Sequence, residues 1–491
     1  MPIAYQIFIG VEECFRDGIT LFSLVVATAF IRTLWFTIMP QVHRSAAYNR
    51  RKFLRQTTAL GTGLLTATLP LHADDASPNE KVNLAAVGVG GKGWTDINGV
   101  SQGHHVVAFC DVDTEIANRK GGFAAAAKQW PKARRYTDWR EMLDKEQQHV
   151  DGITVSTPDH MHAPITMTAI QLGIATYTQK PLTRTVHEAR QVRLAASKAS
   201  VVTQMGNQHH SGAGYRTLVK LVRDGAIGKI QSAHAWSNRP IWPQGIERPR
   251  GTATPPANLN WDLWLGVAQP RPYLREAYHP FRWRGWFDFG AGALGDMGCH
   301  ILDPLVWSLA LPAPLSVRYT GPPPKPQTFP AAETIRYRFP GTKYTTSNAI
   351  EVTWYDGGRL PPKDIVELPA SNKYQNGCCL VGQHGMIVCP HGKMPELWPR
   401  REFADFRITQ VDGENHYQQW TNAIRGQGKT TANFDYAGPL TETVLLGTIA
   451  CRFPDAVLDW DSTNLRFRNH TAANQFIQAE YRKGWEVAGL S

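Results

Sequence analysis

A doubly wound parallel α/β sheet followed by a second, β-rich domain is the fold class that the sequence predicts, and three observations carry it. Strand-like apolar runs alternate with helix-like segments from residue 81 to residue 205. A glycine-rich turn follows the first of those runs directly. After Gly206 the alternation gives way to short β-type runs. Regular alternation is the pattern of a parallel sheet with helices on both faces, and its loss marks a change of architecture.

Taken in order, residues 81–89 read as a buried strand running into glycines, and 105–109 as a second strand ending at Cys110-Asp111. Residues 117–130 have helical composition, and 139–143 predict a short helix before a strand over 150–156. A helix over 163–172 closes at Gly173, a strand over 175–178 ends at Gln179-Lys180-Pro181, and helix 187–199 leads to strand 201–205. Beyond Gly206, a helix over 215–224 precedes β-rich runs at 231–237, 315–320, 334–338 and 349–354, and residues 433–452 look helical. The second domain, residues 206–491, is therefore expected to be α+β, with a large, open, mostly antiparallel sheet.

Composition limits the function. Hydrophobic residues make up 42% and charged residues 19% of the 491, enough for packed cores. The formal charge of +11 could suggest nucleic acid, but seven Lys/Arg against three Asp/Glu fall in residues 1–73, and no basic run follows them. No nucleic-acid partner is expected. Seven scattered cysteines without a CxxC pair read as buried thiols. Six of the 16 tryptophans (Trp236, Trp242, Trp261, Trp264, Trp283, Trp286) lie in one stretch; indole faces suit sugar C–H groups as well as ordinary core filling.

The N-terminal region has its own signals. Arg50-Arg51-Lys52-Phe53-Leu54 precedes a soft apolar stretch over 57–69 and a small residue, Ala73. Residues 47–73 thus resemble a twin-arginine export signal, which predicts a periplasmic, exported protein. Residues 1–46 do not fit such a signal. Residues 19–39 are long enough to span a bilayer, although Arg32 interrupts them, so either the start codon is placed too early or the leader is a membrane anchor.

Gly88-Val89-Gly90-Gly91-Lys92-Gly93 matches G-x-G-x-x-G immediately after the first strand. The first glycine allows the tight turn, the second lets backbone approach a pyrophosphate, and the third lets helix pack on sheet. The helix that follows offers free N–H groups to the phosphates. Asp111 ends the second strand at about the spacing of a ribose-binding acid, and a carboxylate there would repel a 2′-phosphate, so NAD is expected over NADP. This is a Rossmann fingerprint.

Four motifs extend the reading: the glycine loop with Cys110-Asp111-Val112-Asp113; Ser156-Thr157-Pro158-Asp159-His160-Met161-His162; Gln179-Lys180-Pro181; and Gly295-Asp296-Met297-Gly298-Cys299-His300-Ile301-Leu302-Asp303. In order and spacing they resemble the glucose–fructose oxidoreductase/inositol dehydrogenase/MocA oxidoreductases. The resemblance covers roughly residues 81–310, and the β-rich remainder suits that family's C-terminal domain. It implies a catalytic Lys180 near the nicotinamide, an acid at Asp296, and a histidine base at His300. It further implies cofactor contacts from Ser156, Thr157, Pro158, His162, Gln179 and Lys180, beside those of Gly88, Gly90, Gly91, Lys92, Gly93 and Asp111. The family's middle motif is usually Glu-Lys-Pro, so Gln179 removes a charge there. Oligomers are common in the family, and one is expected here.

Chemically, an ammonium at Lys180 can stabilise a developing alkoxide while His300 takes the hydroxyl proton. Asp296, His300 and Asp303 fall at i, i+4 and i+7, so a helix beginning near Asp296 would place all three on one face. Asp303 joins Asn207, His209, Tyr278 and Trp283 as candidate contacts to a sugar or cyclitol. The trio's spacing also admits a metal, but hydride transfer needs none and none is expected. Outside the cytoplasm there is no large dinucleotide pool, so export predicts a tightly held cofactor. The expected activity is oxidation of a sugar or cyclitol hydroxyl. A redox-neutral glycosidase or lyase resembling family 109 is the alternative, and a non-catalytic carbohydrate-binding protein a second one.

Overall fold

The computed structural model describes residues 81–115 and 120–491. The expected export signal and the apolar segment over 19–39 lie outside the described residues. Among the described residues, no helix is long and apolar enough to cross a membrane.

The first sheet has six parallel strands: β1 (Asn83–Val87), β2 (His105–Cys110), β3 (Arg134–Tyr136), β4 (Gly152–Val155), β5 (Ala175–Thr178) and β6 (Thr203–Met205). Their spatial order is β3-β2-β1-β4-β5-β6, so the chain reverses direction across the sheet between β1 and β4. Central strands β1, β4 and β5 are buried almost throughout, as a sheet covered on both faces requires. The covering helices are α1 (Lys92–Val100), α2 (Phe123–Gln129), α3 (Trp139–Glu146), α4 (His162–Gln171) and α5 (Val186–Ala199). Helix α2 is shorter than the expected 117–130: Gly121 and Gly122, at φ +84° and +102°, hold the chain in a non-helical conformation before Phe123. Helix α5 starts with a capping box, Thr185 Oγ1 accepting from the Glu188 N–H and Glu188 accepting from the Thr185 N–H.

The second part opens with α6 (Ala213–Arg223) and β7 (Ile230–Trp236), followed by α7 (Trp261–Leu265), α8 (Gly292–Ile301) and α9 (Asp303–Leu309). Then come β8 (Ser316–Thr320), β9 (Thr334–Pro340), β10 (Ala349–Tyr355), β11 (Gly377–Gly382), β12 (Gly385–Pro390) and β13 (Glu396–Trp398). Helices α10 (His416–Ile424) and α11 (Phe434–Ala450) precede β14 (Val457–Asp461) and β15 (Arg466–Phe467). The strands form one nine-stranded sheet, β13-β12-β11-β7-β10-β9-β8-β14-β15, antiparallel except at β7–β10. Along β9, Ile335, Tyr337 and Phe339 are buried while Arg336 and Arg338 are exposed, so one face packs and the other meets solvent.

Two late helices tie this part to the first sheet. Helix α10 lies on α1; Tyr417 sits so close to Gly99 that a Cβ there would come within 2.5 Å of its ring, and Trp420 packs on Gly152 of β4. Helix α11 packs against both α5 and α8, with Val444 filling the gap left by Gly298. A bidentate pair, Arg190 Nε and Nη2 to the Glu442 carboxylate at 2.7 Å each, joins α5 to α11 with little exposure of either side chain. Removing one partner leaves the other charge poorly solvated. Arg190→Ala should therefore lower the unfolding free energy by about 2–4 kcal/mol in urea denaturation. A change below about 0.5 kcal/mol, the level of an exposed pair, would show that the pair is only decorative.

Candidate active site

A cleft of about 420 Å³ opens at the carboxyl ends of β1, β2, β4 and β5, where open α/β sheets bind ligands. Its floor is the glycine loop. Gly88 has φ +81°, and a Cβ there would lie 2.6 Å from the Ser156 carbonyl oxygen. The third glycine, Gly93, packs against the Gly88 carbonyl, where a Cβ would lie 2.1 Å away, so helix and loop touch without side chains between them. Gly91 starts α1, and no side chain caps the helix.

Asp111 lines the cleft, with Oδ2 accepting from Val89 N–H at 2.9 Å and Oδ1 from Asp113 N–H at 3.1 Å. It thus braces the loop from the end of β2. Burial raises its pKa, against the pull of those two N–H donors. Asp113 anchors the opposite wall: Oδ2 meets His279 Nε2 at 2.7 Å and Oδ1 accepts from Asn258 Nδ2 at 2.7 Å. The 258–279 segment is thereby drawn over the end of β2.

Asp96, which sequence reasoning did not single out, organises the loop's other side. Fully buried on α1, its carboxylate accepts from Lys92 Nζ (2.5 Å), Tyr417 Oη (2.9 Å), Ser156 Oγ (2.8 Å) and Gln179 Nε2 (2.9 Å). A glutamate at 179 would set a second buried carboxylate against this one, whereas the amide of Gln179 donates to it. The ammonium of Lys92, the hydroxyl of Ser156 and the amide of Gln179 are all committed here, although Lys92, Ser156 and Gln179 each line the cleft. Thr157 Oγ1, by contrast, is buried with no hydrogen-bond partner among the described residues. His162 is buried with its ring nitrogens 2.8 Å from the Pro181 and Thr157 carbonyl oxygens. Burial pushes its pKa down to about 4, so it is neutral and holds the strand ends that carry Thr157 and Lys180.

Lys180, Asp296 and His300 come together in this cleft. Lys180 Nζ donates to Asp296 Oδ1 at 2.8 Å and to the Asp296 carbonyl oxygen at 2.6 Å. Arg284 Nε approaches Oδ1 at 3.2 Å and Arg239 Nε approaches Oδ2 at 3.4 Å. Burial would raise the Asp296 pKa, but Lys180, then Arg284 and Arg239, hold it well below the usual carboxylate range. His300 lies one turn further along α8, its Nδ1 buried without a partner. Burial, reinforced by Lys180, His391 and His209, lowers its pKa well below 6.5, so the ring is neutral. His391, also unremarked in the sequence, lies against His300 in a tilted contact and against His209 edge to face, at ring-centroid distances of 5.4 and 4.5 Å.

Several expected contacts sit elsewhere. Helix α8 begins at Gly292, a turn before Asp296, and ends at Ile301; Asp303 opens a separate helix, so the three do not share one helix face. Asp303 is fully buried, bonded to His210 Nδ1 (2.9 Å), Asn207 Nδ2 (3.2 Å) and the Tyr436 hydroxyl. Asp303 and Asn207 are partners to each other and do not line the cleft. Tyr278 is buried in an aromatic cluster with Trp264, Trp286 and Phe289, its hydroxyl accepting from Arg248. His209 reaches the site only through His391 and His300, while Trp283 does line the cleft. Among the described residues, no group of three or more His, Cys, Asp or Glu side chains is disposed to hold a metal ion.

This architecture is that of a dinucleotide-binding oxidoreductase with a separate C-terminal α/β domain. Residues 82–207 match the family described as "Oxidoreductase family, NAD-binding Rossmann fold", and residues 216–487 its "C-terminal alpha/beta domain"; the chain belongs to the glucose–fructose oxidoreductase/inositol dehydrogenase/MocA family. A glycosyl hydrolase family 109 protein of Shewanella pealeana is 24% identical over 209 residues, 38% of this chain and 45% of that protein. A levoglucosan dehydrogenase of Pseudarthrobacter phenanthrenivorans is 26% identical over 180 residues, 37% of this chain and 38% of the relative. The chain thus matches less than half the length of these curated relatives. The WlbA dehydrogenase of Bordetella pertussis, solved with NADH and UDP-GlcNAcA, shares the fold at TM-score 0.55 and 17% identity, over 78% of this chain and 99% of that one.

The residues present suit a nicotinamide dinucleotide: a Cβ-free loop at Gly88 and an uncapped helix start at the cleft floor, and Thr157 in the lining with its buried hydroxyl unpartnered among the described residues. Gly88→Ala should abolish dinucleotide retention, because both its φ and the Ser156 carbonyl exclude a side chain. Dinucleotide released on denaturing the purified variant measures this, and wild-type stoichiometry would contradict it. A second prediction concerns Asp159, also in the cleft wall. Burial lifts its pKa to about 7, against the pull of Arg284 and Lys180 and with a push from Asp296. A carboxyl whose folded pKa is raised binds more protons folded than unfolded, so its contribution to stability falls as pH rises from about 4 to about 7. Asp159→Asn should remove that decline, and parallel stability–pH curves for wild type and variant would refute the assignment.

Proposed function

We propose that this protein oxidises a secondary hydroxyl of a sugar or cyclitol by hydride transfer to a tightly held NAD. The observation that carries this reading is the convergence of Lys180, Asp296 and His300 at the cleft's inner end, beside a wall of Trp283, Trp264 and Phe281. The bound nicotinamide supplies the hydride acceptor. Neutral His300 takes the hydroxyl proton, and Lys180, held in place by Asp296, donates a hydrogen bond to the oxygen as it gains negative character. The second oxygen of Asp296 is available to a neighbouring hydroxyl. Asp111, at the end of β2, favours NAD over NADP by repelling a 2′-phosphate.

The family 109 relatives support a second reading, in which the same oxidation is transient and the hydride returns after cleavage or elimination at the acidified neighbouring carbon. Both readings use the same first step and the same residues. The twin-arginine motif at Arg50-Arg51 favours a periplasmic location, where a retained, self-recycling cofactor is an advantage. A homo-oligomer remains part of the proposal on family grounds.

The deciding experiment is to denature the purified protein, identify any released dinucleotide, and assay the intact protein on a glycoside and polyol panel with and without added NAD⁺. Lys180→Ala and His300→Ala should each lose two or more orders of magnitude in turnover, roughly the worth of a positioned acid–base group, while keeping their dinucleotide. Near wild-type rates in both variants would sink the placement of the chemistry. Aglycone release with no net NADH would select the redox-neutral version.

A further inference from the structure

The cleft holds more positive charge than its own carboxylates need. Three cations converge on Asp296, and Lys180 makes the direct contact at 2.8 Å. Arg284 and Arg239 are drawn to the same carboxylate only through Nε, at 3.2 and 3.4 Å. Their Nη1 groups bond the Phe281 carbonyl oxygen and Asn238 Oδ1. Neither Nη2 has a partner among the described residues. Both side chains are largely buried, at 24% and 20% exposure, and both line the cleft. Asp159, buried in the cleft wall, has its pKa raised to about 7 by burial, Asp111 lies further off at the end of β2, and His300 and His391 are neutral. An oxidised nicotinamide would add a further positive charge. Partly desolvated cations without a counter-charge are costly, and the arrangement is completed by an anion from outside.

The geometry of the surplus is specific. The Arg284 guanidinium lies 4.2 Å from the Trp283 ring centroid and 4.5 Å from that of Phe281, which fixes its plane. The same two residues line the cleft, so the guanidinium is held at its wall. The glycine loop and the start of α1 already provide the donors that the dinucleotide phosphates need, so the arginines are free for substrate.

We propose that the substrate is a sugar acid, a uronic or aldonic acid unit, whose carboxylate is bound by Arg239 and Arg284 while the ring lies against Trp283 and Phe281. This rests on the reading of the cleft as a sugar-oxidising site and adds the chemical class. One Nη2 group from each arginine can meet a carboxylate oxygen in a charge-assisted contact, which a neutral hydroxymethyl group in the same place would leave unmade.

The test is calorimetric titration of the dinucleotide-loaded protein with D-glucuronate, D-galacturonate, D-gluconate and an oligogalacturonide, against D-glucose and D-galactose, at fixed ionic strength. NADH formation is followed in parallel. At least one acid should bind about tenfold or more tightly than its neutral counterpart, and Arg239→Gln and Arg284→Gln should each cut that advantage to about twofold. Neutral sugars binding as well as the acids would overturn the proposal. So would an advantage that survives both substitutions, sulfate binding as tightly as the acids, or no binding by any acid at millimolar concentration. Selective binding of an acid without hydride transfer would instead remove the oxidation reading and leave the anion site standing. Oxidation of neutral sugars without acid preference would do the reverse.

Discussion

The contact between Lys180 and Asp296 is the constraint on which the site depends. It joins the end of β5, in the dinucleotide-binding sheet, to the second turn of α8, in the C-terminal domain. A lysine between two packed domains would turn away towards water if it lacked an acceptor. Here it has two on one residue, the Asp296 carboxylate and the Asp296 backbone carbonyl. The pairing holds only if α8 is seated to within an ångström, and the long buried helix α11 secures that. Val444 of α11 closes on Gly298 of α8, while Arg190 and Glu442 fasten α11 to α5. The chemistry at the domain boundary is therefore set by a helix that contributes no side chain to the cleft.

The electrostatics follow from the same joint. Asp296 is buried, and burial alone would tend to neutralise it; three cations reverse that and keep it charged. Asp159, on the other wall, is raised by burial, with a smaller push from Asp296, against the pull of Arg284 and Lys180. Two carboxyls in one cleft are thus pushed to opposite ends of the carboxylate range by their surroundings, the pattern by which active sites separate a permanently charged group from a titrating one. His300 completes it: burial first, and then Lys180, His391 and His209, keep the imidazole neutral, with its Nδ1 unpartnered.

Much of this was legible in the sequence, and the residues show why. Five of the six strands of the first sheet and the turn after β1 were readable because they rest on local signals: apolar runs, and glycines that no other residue can replace at φ +81° or beneath a neighbouring carbonyl; β3, three largely exposed residues with two arginines, carries no such run and was missed. Lys180, Asp296 and His300 were found through their motifs, and the fold brings them into one cleft. Asp303 was misplaced because i, i+7 spacing assumes one unbroken helix, whereas the chain breaks at Leu302 and starts again. Asp96 was missed because nothing local marks it; its four donors come from positions 92, 156, 179 and 417. Arg239 and Arg284 were missed for the same reason, reaching the cleft from a loop and a short 3-10 turn of the second domain, as was His391, which packs behind His300. A lone arginine beside tryptophan is common in sequence, and only the assembled cleft shows three cations converging on one acid.

Position 179 illustrates how such a departure from a motif can be read. The buried carboxylate of Asp96 already accepts from a lysine, a tyrosine and a serine. A fourth neighbour that donates completes its shell, while a fourth neighbour carrying negative charge would force one of the two carboxyls to hold a proton. With glutamine, the Asp96 carboxylate under the glycine loop has a fourth donor in place of a second acid. The charge lost at 179 is thus a consequence of Asp96 on α1. It leaves Asp159, on the far side of Thr157, as the carboxyl in the cleft wall whose pKa lies near neutrality, within reach of the same cations that organise the chemistry.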